Sequence, residues 1–331
     1  MEKYIRYSIL KGFFFLSLLL LVSQCGTKEQ VKTLKLAHGL PVNHPVSKAM
    51  VFLANRCAEL SDNKLKVKIY PGGQLGSEQQ NVELLQIGSL AMTKVSAAVL
   101  EGFAPDYKAI GLPYLFRDKK HYFKVCDSDI GKDLLLSTEK KWIRGLCFYD
   151  AGSRSFYTKK KSIKTPDDLK GLKLRVMKSK TAMQMVAALG GSPTPLSWGE
   201  LYTALQSGVV DGAENNPPTF YSSHHYEVCK YYSLDEHASI PDVLIMSQVV
   251  WDKLTSKEQS VLTQAVKESV EVQRKLWAEA ENEALVALEK AGVTITHPDK
   301  KPFSGKVSQM YEAFKTQPLV YSYIQRIQKL K

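Results

Sequence analysis

From Lys32 onward, apolar residues recur with two periods: every second position over short runs, every third or fourth over longer ones. That alternation predicts strands separated by helices, an α/β fold. Leu34 and Leu36 mark a first strand, and Val46, Ala49, Met50, Leu53, Cys57 and Leu60 share one face of a helix. Leu65–Tyr70 alternates again, and Pro71-Gly72-Gly73 turns the chain. Ser77 and Gln80 have capping-box spacing for a helix that stops at Gly88, and residues 91–95 form a strand opening into Ser96-Ala97-Ala98. Residues 118–137 read as a helix broken at Gly131, and residues 142–149 as a strand leaving the first half.

The pattern is densest over residues 171–218. Leu172, Leu174 and Val176 alternate with Lys173 and Arg175 as a strand, and Ser179 caps a helix ending at Gly190-Gly191. Residues 192–196, with two prolines, read as an extended link. Ser197 and Glu200 suit a capping box for a second helix stopping at Gly208. Val209-Val210 reads as a short buried strand opening into the polar loop 211–216. Ser77, Gly88 and Ser96 recur 120 positions later as Ser197, Gly208 and Asn216, and Leu85-Gln86 as Leu205-Gln206. A repeat of topology predicts two similar α/β lobes facing each other across a cleft.

After a strand over 243–250, residues 255–291 read as a helix with a capping box at Ser256 and Gln259, stopped by Gly292. Ser269 interrupts its apolar face. At 1.5 Å per residue it spans about 55 Å, enough to bridge both lobes. One or two helices over 304–330 close the chain. The expected division is 33–151 with 241–280 for the first lobe, and 152–240 with 281–331 for the second.

Composition changes the picture only at the ends. With 331 residues, 44% apolar and 24% charged, the chain has ordinary globular balance. Lys3, Arg6 and Lys11 precede an apolar run over 12–22, the form of a secretory signal over 1–24 that is too short for a comfortable membrane span. Cys25 follows it at the position of a lipid anchor, and 25–32 is a tether. The expected location is the periplasm, tethered to a membrane through Cys25. The net charge of +12 comes from scattered lysines, and no nucleic-acid-binding motif accompanies it. Cys57, Cys126, Cys147 and Cys229 have no metal spacing and allow free thiols or up to two disulfides.

The candidate chemistry is anion capture. Arg175 on a strand and Asn215 in the loop after the next strand suit a carboxylate at the edge of an open sheet. Arg154 can form an internal ion pair with Asp150, Asp211 or Glu214. Trp198 follows an N-cap and can be core. Tyr221, His224 and His225 cluster in sequence, but adjacent histidines point apart on a helix, so no metal is expected there. No G-x-S-x-G, H-E-x-x-H, Walker or G-x-G-x-x-G motif is present, so neither an enzyme nor a cofactor is expected. The rivals are a periplasmic α/β enzyme acting on a small acid and a scaffold lipoprotein without a ligand.

KLRV followed by GGSPTPLSWGELYTALQSGVVDGAENNP resembles the substrate-binding proteins of TRAP transporters, the DctP-like receptors. YPGGQLGSEQQNVELLQIGSLAM, GLPYLFRD and LTSKEQSVLTQAVKES extend the resemblance over nearly all of the chain after Cys25. It implies the two-lobed periplasmic-binding-protein fold, hinge strands, a long helix bridging both lobes and closure on a small organic anion, mostly a carboxylate. It also implies delivery to a permease with a large and a small membrane subunit and, in some systems, a helical-repeat lipoprotein partner. On that resemblance Arg175 takes the carboxylate, Arg154 is a second basic contact, Asn215 orients the carboxylate and Trp198 lines the cleft. Ser96, Glu78 and His44 are the first-lobe candidates. Val95-Ser96-Ala97 departs from the acidic or amide group that several members place there.

Overall fold

The computed structural model describes residues 31–331; the expected signal segment and Cys25 lie outside the described residues. Strands β1 (Lys32–Ala37), β2 (Leu65–Tyr70), β3 (Met92–Ser96) and β4 (Ile143–Tyr149) precede a first crossing between lobes. Strands β5 (Arg154–Thr158), β6 (Lys173–Val176), β7 (Ser192–Pro195), β8 (Gly212–Asn215) and β9 (Tyr231–Ala238) follow it. β10 (Asp242–Ser247) crosses back, and β11 (Thr294–Thr296) joins the second sheet. The first sheet runs β2-β1-β3-β10-β4 and the second β11-β9-β5-β8-β6-β7.

Apart from β11, the two sheets share one design. The inner strand, β3 or β8, pairs parallel with β1 or β6 on one side. On the other it pairs antiparallel with a strand just arrived from the opposite lobe, β10 or β5. The local signals repeat with it. Capping boxes form at Ser77 and Ser197, Gly88 and Gly208 take φ of +76° and +82°, and Ser96 and Asn216 both cap the next helix.

Tertiary contact moved several expected boundaries. The strand expected at Val209-Val210 starts at Gly212, and Val209 is 53% exposed. A Cβ at Gly212 would lie 2.3 Å from the Tyr157 carbonyl oxygen, so β5 and β8 approach most closely where no side chain intervenes. The expected polar loop is therefore mostly strand, with Glu214 and Asn215 buried in it. The expected link 192–196 is the edge strand β7, where proline costs no sheet hydrogen bond on its open side. The strand expected over 243–250 stops at Ser247, whose side chain caps Gln248–Trp251.

The helix expected over 118–137 breaks at Ser128, which ends Lys119–Asp127 and caps Asp129–Leu136. Gly131 lies inside the second of these helices. A Cβ there would meet the Cys126 carbonyl oxygen at 2.1 Å, so glycine serves the close turn between the two helices. Gly131→Ala is expected to destabilise the protein by about 1–3 kcal/mol through overpacking; an unchanged melting temperature would contradict this.

The long helix is Ser256–Lys290, capped by Thr255 with Glu258, one residue earlier than the expected Ser256 and Gln259. Its 35 residues span about 52 Å. It packs on Pro45–Leu60 and β4 in the first lobe and on Pro217–Ser222 in the second. Ser269 interrupts its apolar face because its hydroxyl bonds the Tyr149 hydroxyl at 2.8 Å. One turn on, Gln273 holds both backbone groups of Asp150 at the first crossing, each at 2.8 Å. The final helix, Pro318–Lys329, packs on Pro105–Gly111 and Asp129–Leu136. It therefore sits with the first lobe, whereas the sequence division had placed it with the second. All four thiols are free, and burial pushes the Cys57 thiol up to about 12.

Candidate functional site

The lobes enclose a cavity of about 80 Å³. Its second-lobe wall comes from the ends of β5, β6 and β8. Parallel pairing sets Arg175 of β6 beside Thr194 and Ala213, and the residue is only 2% exposed. Its Nε donates to the Leu196 carbonyl oxygen at 3.0 Å, and its guanidinium lies 5.9 Å from the centre of the Trp198 ring. Nη1 is buried with no hydrogen-bond partner among the described residues. Burial pushes the Arg175 pKa below its usual range, as expected for a cation without a counter-anion.

Arg154 is placed differently. Its Nε donates to Glu214 Oε2, its Nη2 to Glu214 Oε1 at 2.9 Å and to the Glu214 carbonyl oxygen at 2.8 Å, and its Nη1 to Asn215 Oδ1 at 3.0 Å. Of the ion-pair partners open in the sequence, the structure selects Glu214. Behind it, His237 lies 3.5 Å from Glu214 and 2.9 Å from Asp235. Burial alone would raise the Glu214 carboxyl, but Arg154 and His237 hold it down at about 2. Burial likewise opposes charge on His237, and Asp235 with Glu214 overrides it, to about 9. The network holds Asn215 Oδ1, which also accepts from the Asn216 N–H at 3.0 Å, so the amide nitrogen is the group left to donate.

The first-lobe wall carries Glu78, Lys94, Ser96 and Asp242. Lys94 Nζ lies 3.1 Å from Glu78 Oε1 and 3.1 Å from Asp242 Oδ1. Burial opposes its charge, yet the two carboxylates raise its pKa. Glu78 Oε2 accepts from the Ser96 N–H at 3.2 Å, and the Ser96 hydroxyl caps the short helix Ala97–Leu100. The acidic groups missing from Val95-Ser96-Ala97 thus reach the wall from Glu78 and Asp242.

Arg175, Arg154, Asn215, Trp198, Ser96 and Glu78 all line the cavity. His44 does not. Its Nδ1 caps Pro45–Leu60, and its Nε2 bonds Oγ1 of the lining residue Thr219 at 3.1 Å, tying the lobes together from behind the cavity wall. Lys94 and Asp242 escaped sequence reasoning because a lysine in a strand reads as solvated; the usable signal was that Lys94 stands 120 positions before Glu214.

His225 bonds the Tyr157 hydroxyl at 2.9 Å instead of joining a metal cluster with His224. Among the described residues no group of three or more His, Cys, Asp or Glu could hold a metal ion. Burial pushes His38 down to about 4, His225 to about 3 and His44 well below its usual value. Their folded values lie below the unfolded value of 6.5, so their stabilisation is present above pH 6.5 and lost as pH falls. The melting temperature is expected to drop between pH 6.5 and 5.5 with net proton uptake on unfolding; a flat profile would contradict it.

Two opposed, charged walls joined by crossing strands form a clamp. Residues 36–317 match the DctP family, described as bacterial extracellular solute-binding protein, family 7. The chain belongs to this family. YiiZ of Salmonella typhimurium, an uncharacterized protein, is 39% identical over 97% of this chain and 98% of its own. A TRAP periplasmic solute-binding protein from Bradyrhizobium sp., solved with galacturonate, is 40% identical with a TM-score of 0.88, covering 90% of this chain and 100% of that one. One from Anaerococcus prevotii, solved with glucuronate, is 36% identical with a TM-score of 0.88, covering 90% and 97%. This family-7 protein is therefore an extracytoplasmic receptor for a small organic anion, serving a TRAP transporter, and a binding protein rather than an enzyme.

Proposed function

We propose that this family-7 receptor captures a sugar acid of the hexuronate class. The observation that carries the reading is the buried, unpartnered Nη1 of Arg175 at the cavity wall. A carboxylate there satisfies Arg175 through charge-assisted hydrogen bonds and takes a further one from the Asn215 amide. Trp198 supplies a flat apolar face for the ring. Arg154 acts through Asn215, because Glu214 already occupies its fork. The relatives solved with galacturonate and glucuronate support the ligand class.

Calorimetry with D-galacturonate against neutral D-galactose tests this reading: heat is expected from the acid alone. No heat from either sugar, or equal heat from both, would overturn it.

The lobes swing about residues 150–153 and 239–241 as rigid bodies, 33–151 with 241–280 against 152–240 with 281–317, and the final helix moves with the first lobe. Galacturonate is expected to reduce the radius of gyration in X-ray scattering; no change at saturation would contradict closure. The bound acid passes to a large and a small permease subunit, with a helical-repeat lipoprotein as a further partner. Acylation of Cys25 holds the receptor at the membrane, and absence of label after growth with a tagged fatty acid would remove that anchor.

A further inference from the structure

The two cavity walls carry the same ion pair with its signs exchanged. In the second lobe the pair is Glu214 on the inner strand β8 and Arg154, the first residue of the crossing strand β5. In the first lobe it is Lys94 on the inner strand β3 and Asp242, the first residue of the crossing strand β10. Lys94 and Glu214 are 120 positions apart, the spacing of the topological repeat. Sheet register confirms the equivalence: Asp242 stands opposite Ser96, and Arg154 adjoins the residue opposite Asn215, which places it beside Asn216.

The remaining charges on each wall also differ in sign. Buried Arg175 and exposed Lys178 leave the second-lobe wall with surplus cations, whereas Glu78 gives the first-lobe wall two carboxylates against one ammonium. The cavity is therefore polarised along the line between the lobes.

We infer that Glu78, Lys94 and Asp242 form a specificity subsite that accepts a hydroxyl of the ligand and rejects a second carboxylate. This rests on the sugar-acid reading and adds to it the chemistry at the far end of the ligand. Two of the three Nζ donors of Lys94 are used, leaving one. Asp242 Oδ1 is engaged, and its Oδ2 has no hydrogen-bond partner among the described residues. One free donor beside one free acceptor matches a hydroxyl, which is both acceptor and donor. A carboxylate only accepts, so it would set an oxygen against Asp242 Oδ2 in a wall whose one cation is already shared by two anions. Like-charge juxtaposition in a desolvated site strongly disfavours a diacid.

The test compares D-galacturonate with galactarate, which carries a second terminal carboxylate, by calorimetry on the wild type, Asp242→Asn and Glu78→Gln. The wild type is expected to bind galactarate at least about 100-fold more weakly than galacturonate. Each variant removes one anion without removing Arg175, and is expected to improve galactarate at least about 10-fold relative to galacturonate. Comparing the same two ligands across variants cancels their difference in shape. Glu78 is half-buried, so its variant remains readable if Asp242→Asn fails to fold. Wild-type galactarate binding within about 10-fold of galacturonate, or an unchanged ratio in the folded variants, overturns the subsite while leaving the sugar-acid reading intact. Absence of galacturonate binding to the wild type removes that reading itself, and the subsite with it.

Discussion

Replacing Arg175 with lysine is expected to weaken sugar-acid binding by at least about 100-fold, and replacing it with alanine to abolish it. Lysine keeps the charge but not the planar fork that binds carboxylate through two parallel hydrogen bonds. Nor can it both reproduce the Nε contact to the Leu196 carbonyl oxygen and present a second donor in the place of Nη1. Each charge-assisted bond contributes about 1.5–3 kcal/mol, so losing even one exceeds a tenfold change in affinity. Stability should respond in the opposite sense. Arg175 is a buried cation with no anion in contact among the described residues, so Arg175→Met is expected to leave the ligand-free melting temperature unchanged or higher. Affinity within tenfold of wild type for the lysine variant would take Arg175 out of the site. A collapsed melting temperature for the methionine variant would show that its charge serves the fold.

Glu214→Gln is expected to act on the fold as well as the ligand. It leaves the buried Arg154 guanidinium, at the cavity wall, facing a neutral amide, and leaves His237 with Asp235 alone as its counter-ion. Removing one partner of such a buried network costs about 3–5 kcal/mol. Urea unfolding at neutral pH should show that loss, with weaker galacturonate binding because Asn215 loses its fixed orientation. The pH dependence separates the network's members. The folded Glu214 value of about 2 lies below its unfolded value of 4.5, so its stabilisation is full above 4.5 and lost as pH falls towards 2. The folded His237 value of about 9 lies above its unfolded value of 6.5, so its stabilisation is full below 6.5 and lost as pH rises through 9. The stability gap between wild type and Glu214→Gln should therefore close on acidification below pH 4.5. A gap that persists unchanged to pH 3 would point to packing rather than charge.

The contrast between Arg175 and Arg154 shows how far residue type carries an argument. Both are buried arginines near strand ends in the same lobe. In sequence both were candidates for the ligand, and only the β5–β8 pairing brings Glu214 across to Arg154 while leaving Arg175 without an acid. His44 shows the reverse. It stands in a loop expected to contact the ligand, yet helix capping and Thr219 use both of its ring nitrogens. The missed boundaries have similar causes. Gly131 and Gly212 resemble breakers or turn residues in a linear reading, and both are glycine because a backbone oxygen lies where a Cβ would go.

By itself the sequence determined the α/β alternation, the two lobes, the bridging helix and Arg175 as the candidate cation. Those features rest on periodicity, caps and glycine stops, which act over a few residues and repeat visibly after 120. Tertiary structure alone decided the polarity of the cleft. The Lys94–Asp242 pair joins residues 148 apart and the Arg154–Glu214 pair residues 60 apart, each across a crossing strand. The free energy of a buried charge depends on which partner the fold brings within about 3 Å. Sequence spacing carries no record of that distance, so the second lobe's surplus cations and the first lobe's surplus anion emerge only when both sheets are assembled.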